Sequence, residues 1–77
     1  MKFKNEDIIN AFTNVDELMQ GMREGSLSLF LSPKAMFEMG QFYEWAKPIV
    51  ESDDVDLEAE TEVPNEFAWV VEEALGW

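Results

Sequence analysis

The first third of the chain has apolar residues at helical spacing. From residue 6 to residue 23 they recur every three or four positions, the period of a helix with one buried face. Asn5 stands where an N-cap is expected, and Gly25 follows as a C-terminal stop. Asn14 and Glu17 have the spacing of a second capping box. The pattern therefore predicts one long helix over 6–23, or two short helices that break near that box.

A strand pattern and a second helical pattern follow. Residues 26–31 alternate serine with leucine before ending in Phe-Leu, which predicts a short strand. Ser32 and Pro33 form a typical helix start, a capping residue followed by proline at the first helical position. The broad apolar pattern over 33–47 predicts the helix itself, which Pro48 is expected to end or kink.

The strictest alternation in the chain spans residues 55–63. Apolar or threonine positions alternate with acids, so a strand here would place one face on the core and four carboxylates on the other. Pro64 would end this strand, and Asn65 would cap a last helix over 66–75. The predicted carboxylate ladder consists of Asp56, Glu58, Glu60 and Glu62.

This order of elements predicts a small α+β domain of about three to four helices with a short two-stranded sheet. The two strands could be parallel through a right-handed crossover, antiparallel, or paired across a dimer. A length of 77 residues corresponds to one domain, 1–77. By charge, that domain divides into a near-neutral helical part, 1–50, and a strongly acidic strand-helix part, 51–77.

Charge narrows the range of partners. The chain has a formal net charge of −12, with 17 acidic and 5 basic residues, and from residue 51 onward it has no base. Because such a chain repels phosphate, we expect no direct binding to nucleic acid or anionic membranes, and a basic protein is the natural partner. The predicted partner-binding residues are Glu51, Asp53, Asp54, Asp56, Glu58, Glu60, Glu62, Glu66, Glu72 and Glu73.

Other chemistries have little support in the sequence. Histidine and cysteine are both missing, so the common general bases and nucleophiles are not available, and we expect no enzyme and no catalytic residue. Asp54, Asp56 and Glu58 are spaced like the start of a calcium loop. Ala59 stands where that loop needs glycine, however, and Asn65 where it needs glutamate. We therefore expect no metal site and no cofactor.

The sequence also suggests a location. It contains no run of about 18 apolar residues that would span a membrane, and its first residues lack the apolar stretch of a signal peptide. A cytoplasmic protein is expected.

Small size, extreme acidity, many aromatic residues and missing catalytic groups resemble the phage-encoded acidic DNA-mimic inhibitor proteins. The acids at 51–62 and 66–73 carry the resemblance. It implies a protein of host takeover or anti-defence, often dimeric, that acts in the host cytoplasm. Such a protein occupies the nucleic-acid-binding surface of a bacterial factor. Targets of this class include restriction enzymes, CRISPR effectors, uracil-DNA glycosylase, RNA polymerase and HU-type nucleoid proteins.

Three alternatives remain open at this point. The chain could be an acidic antitoxin or small adaptor that neutralises one basic partner without imitating DNA, or a small structural or assembly protein. Its charge could also serve solubility alone, although acids would then be expected to spread over the whole surface. Phe42, Trp45 and Trp69 are predicted to lie in the core, whereas Trp77 could anchor a partner or dimer interface, or pack back on the last helix.

Overall fold

A computed structural model describes residues 1–25 and 32–76 of the chain. Within these residues three helices and a two-stranded antiparallel sheet form one small α+β domain, which confirms the predicted fold class. The predicted strand at 26–31 and the role of Trp77 lie outside the described residues. The elements are β1 (Lys2–Lys4), α1 (Asn5–Arg23), α2 (Pro33–Glu51), β2 (Glu60–Glu62) and α3 (Ala68–Ala74).

Helix α1 is one continuous helix. The hydroxyl group of Thr13 donates to the carbonyl of Ile9 at 3.0 Å, so this side chain is bonded within the helix and no break occurs at the predicted second capping box. The expected N-cap is also wrong: the helix begins at Asn5, and Lys4 occupies the cap position without a side-chain bond. Gly25 ends the helix as predicted, with a φ of 75° that glycine adopts without a Cβ penalty.

Helix α2 begins as predicted and continues further than expected. The Ser32 hydroxyl oxygen accepts a bond from the Ala35 amide at 3.1 Å, with proline at the first helical position. Of the two outcomes predicted at Pro48, an end or a kink, the end is wrong, because the helix runs on to Glu51. Both Pro48 and Glu44 are exposed, so water can reach the carbonyl that loses its helical donor at the proline.

The predicted strand over 55–63 is largely a turn. Only β2 is extended, and the preceding residues fold back on themselves. The Asp56 carboxylate accepts a bond from the Glu58 amide at 3.0 Å, and the Asp56 carbonyl accepts one from the Ala59 amide at 3.2 Å. Aspartate commonly stabilises turns in this way, and here its local bonds override the alternating pattern.

Strand β1 is the partner of β2, and no pattern in the sequence predicted it. This strand is three residues long and leads directly into α1. The two strands are antiparallel, so the crossover alternative does not apply to them. Their paired residues are Lys2 with Glu62, Phe3 with Thr61 and Lys4 with Glu60.

Helix α3 is shorter than predicted. It begins at Ala68, and Phe67 occupies its N-cap position without a side-chain bond. Asn65 does not cap the helix; its side-chain oxygen accepts a bond from the Met1 amino group at 3.4 Å. Glu66 therefore lies in a turn that precedes the helix rather than in its first turn.

A single core joins both halves of the chain. Its fully buried members include Ile8 of α1, Phe42 of α2, Val63 after β2, and Val70 of α3. Trp45, which is partly buried, packs with Phe42 and Phe67 at ring-centroid distances of 5.6–6.3 Å. The acidic part of the chain thus shares one hydrophobic core with the near-neutral part and does not form a separate unit.

Two side-chain bonds fix the helices to each other. The Asn14 amide donates to the carbonyl of Ala74 at 2.8 Å, which joins α1 to the end of α3. The indole nitrogen of Trp69 donates to the Glu38 carboxylate at 3.0 Å and joins α3 to α2. Trp69 is partly buried against the core, which agrees with the prediction that it packs there. None of the described helices has the length and apolar character that crossing a membrane requires.

Candidate partner-binding surface

All ten predicted partner-binding carboxylates are exposed. They occur in three places along the fold, and not along one strand as the sequence suggested. The loop carboxylates, at the end of α2 and in the following loop, are Glu51, Asp53, Asp54 and Asp56. The sheet carboxylates are Glu60 and Glu62 of β2 together with Glu58 just before it, and the α3 carboxylates are Glu72 and Glu73 of the helix together with Glu66 in the turn before it.

The loop between α2 and β2, residues 52–59, is held by its own side chains. The Ser52 hydroxyl oxygen accepts a bond from the Asp54 amide at 3.3 Å. The Asp56 carboxylate likewise accepts a bond from the Glu58 amide. Short side-chain acceptors of this kind stabilise turns, so the backbone that carries the loop carboxylates has a defined shape.

The same loop is attached to the start of α1. The first amide groups of a helix have no partner within the helix. Here the Asn5 amide donates to the Ala59 carbonyl at 2.8 Å, and the Glu6 amide donates to the Leu57 carbonyl at 3.2 Å. Loop carbonyls thus replace the side-chain cap that the sequence predicted at this helix end.

The Asn5 side chain completes this attachment. It is 8% exposed, the one buried polar side chain among the described residues. Its amide nitrogen donates to the Asp56 carbonyl at 2.8 Å, and its oxygen accepts a bond from the Thr61 hydroxyl. Asn5 therefore bridges α1, the acidic loop and β2.

Glu6 extends the acidic surface, and sequence reasoning missed it. Its carboxylate is exposed, and its backbone amide is bonded to Leu57 in the acidic loop. In the sequence, Glu6 and Asp7 indicated only favourable charges at a helix N-terminus. Nothing local indicates that a segment about fifty residues further along lies beside them.

The sheet carboxylates lie next to positive charges. The Lys4 ammonium group is 3.6 Å from the Glu58 carboxylate, and the Met1 amino group is 3.5 Å from that of Glu62. In the sheet, Lys2 and Lys4 are paired directly with Glu62 and Glu60. The predicted uninterrupted ladder of four carboxylates is therefore wrong. Lysines from the start of the chain lie next to three of its acids, Glu58, Glu60 and Glu62.

The loop and α3 carboxylates have no such compensation. Within residues 1–25 and 32–76, no ion pair involves any of these seven groups. A shallow open cleft of about 420 Å³ borders the loop and is lined by Asp54, Asp56 and the end of α2. In this described part of the chain, no group of three or more histidine, cysteine or acidic residues could hold a metal ion. Among the ten predicted acids, the carboxylates without a basic partner are therefore those in the loop and around α3.

No protein-family model, curated protein or solved structure matches the chain. Its function must therefore be inferred from the surface itself.

Proposed function

We propose that this protein is a DNA-mimic inhibitor that binds the positively charged nucleic-acid-binding surface of a bacterial protein. Candidate targets are a nucleoid protein, RNA polymerase, or a restriction, CRISPR or repair factor. The observation that carries the proposal is that seven exposed carboxylates of one small domain have no ion pair within the described part of the chain. The proposed contact surface contains all ten predicted acids, with the loop and α3 carboxylates as its main contributors.

The bonded loop suits such a role. A loop that already has its bound shape loses less conformational entropy when a partner binds. Exposed charges of one sign speed up the encounter with an oppositely charged surface. They also replace phosphates as partners for lysine and arginine side chains arranged to hold a nucleic acid.

An apolar side chain within the loop adds contact that salt does not screen. Leu57 is 47% exposed and lies between Asp56 and Glu58. Burying such a side chain against a partner contributes free energy in proportion to its apolar area, at about 25 cal/mol per Å². Binding is therefore expected to weaken with salt without vanishing.

One observation favours a second candidate, an acidic adaptor or antitoxin that neutralises a basic partner without imitating DNA. The carboxylates are divided between a loop, a sheet edge and a helix, and the sheet group is compensated by lysines. Such a surface lacks the regular spacing that a single strand of acids would have had.

Competition with DNA tests the proposal and separates the two candidates. The immobilised protein is used to capture its target from bacterial lysate, and the target is eluted by increasing salt. The purified target is then bound to labelled duplex DNA, and this protein is added. Displacement of the DNA is expected. A stable ternary complex with DNA would contradict the DNA-mimic proposal and support the adaptor.

Two charge-matched variants show which surface is responsible. Asp53→Asn with Asp54→Asn removes two charges from the loop, whereas Glu17→Gln with Glu24→Gln removes one exposed charge within α1 and one just beyond its end. The loop variant is expected to lose displacement activity, and the α1 variant to keep it. Equal activities would show that the loop is not the contact site.

A further inference from the structure

The exposed side of α2 carries two large apolar side chains. Phe37 is 65% exposed and Met36 is 48% exposed, whereas Phe42 and Ala46 on the other side of the helix are fully buried in the core. Neither Met36 nor Phe37 belongs to the proposed acidic contact surface. This side of the helix therefore has an apolar patch that the core does not use.

Gly40 lies on the same side, in the interior of α2. Positions three and four apart share a helix face, so Gly40 is next to both Phe37 and Met36. Apart from its chain neighbours and the nearby backbone of its own helix, a Cβ atom at this position would meet no described atom within 4 Å. Glycine inside a helix costs about 1 kcal/mol relative to alanine, and nothing in the described part of the chain requires that cost. A missing side chain does allow a second helix to approach α2 closely.

The charge of this face of α2 differs from that of the rest of the molecule. The exposed charged residues of α2 are Lys34, Glu44, Lys47 and Glu51, two bases and two acids. Glu38 is half-buried and bonded to Trp69. Two copies of a chain with a net charge of −12 repel each other over most of their surfaces. The α2 face lacks excess negative charge, so two copies can meet there without that repulsion.

We propose that this face of α2 binds a second copy of the chain, with the two α2 helices antiparallel about a twofold axis. A twofold interface uses the same patch on both copies. A register that places Phe37 against the partner's Gly40 also brings Glu44 close to the partner's Lys34, and the symmetry repeats both contacts. The interface uses none of the ten predicted partner-binding carboxylates, so it goes beyond the proposed function and can be tested separately from it.

Sedimentation equilibrium over a range of concentrations tests the proposal. The native chain is expected to be a dimer, and Phe37→Ser is expected to raise the dimer dissociation constant at least about tenfold with an unchanged circular dichroism spectrum. Leu57→Ser is the matched control, because Leu57 is also exposed but lies in the acidic loop. A native chain that is monomeric at every concentration, or two variants with equal effects, would overturn the proposal.

Two further variants test the packing itself. Gly40→Ala adds a methyl group at the proposed closest approach, so it is expected to weaken the dimer; without an interface it would only strengthen the helix. Glu44→Lys and Lys34→Glu should each weaken the dimer, and the double variant should restore it. A dimer that tolerates Gly40→Ala, or a double variant no better than the singles, would refute this arrangement.

Discussion

Replacing Asn5 by alanine tests how the acidic loop is held. In the structure this side chain donates to the Asp56 carbonyl and accepts a bond from the Thr61 hydroxyl, and it is buried. Alanine removes both bonds and leaves the Thr61 hydroxyl without this acceptor. Each lost bond contributes about 0.5–1.5 kcal/mol, so Asn5→Ala is expected to lower the free energy of unfolding by about 1–3 kcal/mol.

Such a loss is large for a chain of this size. A domain of 77 residues has an expected total stability of about 0.05–0.15 kcal/mol per residue. Urea denaturation followed by circular dichroism measures the change as a lower midpoint at a similar slope. Asn10→Ala is the matched control, because Asn10 lies on the same helix and is exposed. It is expected to change stability by no more than about 0.5 kcal/mol.

A double-mutant cycle isolates the bond to Thr61. Thr61→Val keeps the shape of the side chain and removes the hydroxyl group. Because both single variants break the same bond, their effects should not add, and the coupling between them is expected to be about 0.5–1.5 kcal/mol. If Asn5→Ala and Asn10→Ala unfold at the same urea concentration, Asn5 does not anchor the loop, and the reasoning fails.

Three more predictions concern the core, the sheet and the helix contact, each measured by urea denaturation. Phe42→Ala should lower stability by about 3–5 kcal/mol, because its ring is fully buried; a loss below about 1 kcal/mol would contradict that packing. Replacing Lys2 and Lys4 by glutamine should cost about 1 kcal/mol or less per exposed pair and less still in 0.5 M salt; a loss that salt leaves unchanged would argue against a charge effect. Trp69→Phe keeps an aromatic side chain but removes the indole nitrogen and its bond to Glu38, so a loss of about 1–3 kcal/mol is expected; unchanged stability would show that the bond contributes nothing.

Local signals account for the features that the sequence predicted correctly. The apolar period of α1 and α2, the Ser32 cap and the Gly25 stop depend on neighbouring residues only. Strand β1 depends on pairing with residues about sixty positions away, so its three residues carry no signal of their own. Such a short strand exists only because the rest of the fold brings β2 beside it.

Two errors come from residues whose side chains form bonds that compete with the predicted element. Asparagine is a preferred residue at N-caps, but the side chain of Asn5 is bonded to the acidic loop and to β2. Asp56 fits an alternating strand, but its carboxylate closes a turn. The bonds of Asn5 come from residues far away in the sequence, whereas the bonds with which Asp56 closes its turn come from residues within the alternating pattern itself.

The sequence allowed us to predict which acids form the acidic site, but not which of them lie next to a basic residue. The exposure of its ten acids follows from their charge, because ionised groups are rarely buried unpaired. The lysines that compensate the sheet carboxylates stand at the other end of the chain, and only the folded sheet brings them there. Glu6 joins the surface in the same way.

The salt dependence of target binding is the most direct test of the central claim, that the loop carboxylates form the contact with a basic partner. The affinity of the captured target is measured from about 50 to 200 mM salt for the native chain, the Asp53→Asn, Asp54→Asn variant and the Glu17→Gln, Glu24→Gln variant. The last two have the same net charge. A weaker affinity and a shallower salt slope for the loop variant alone are expected, and identical slopes for the two variants would contradict the claim.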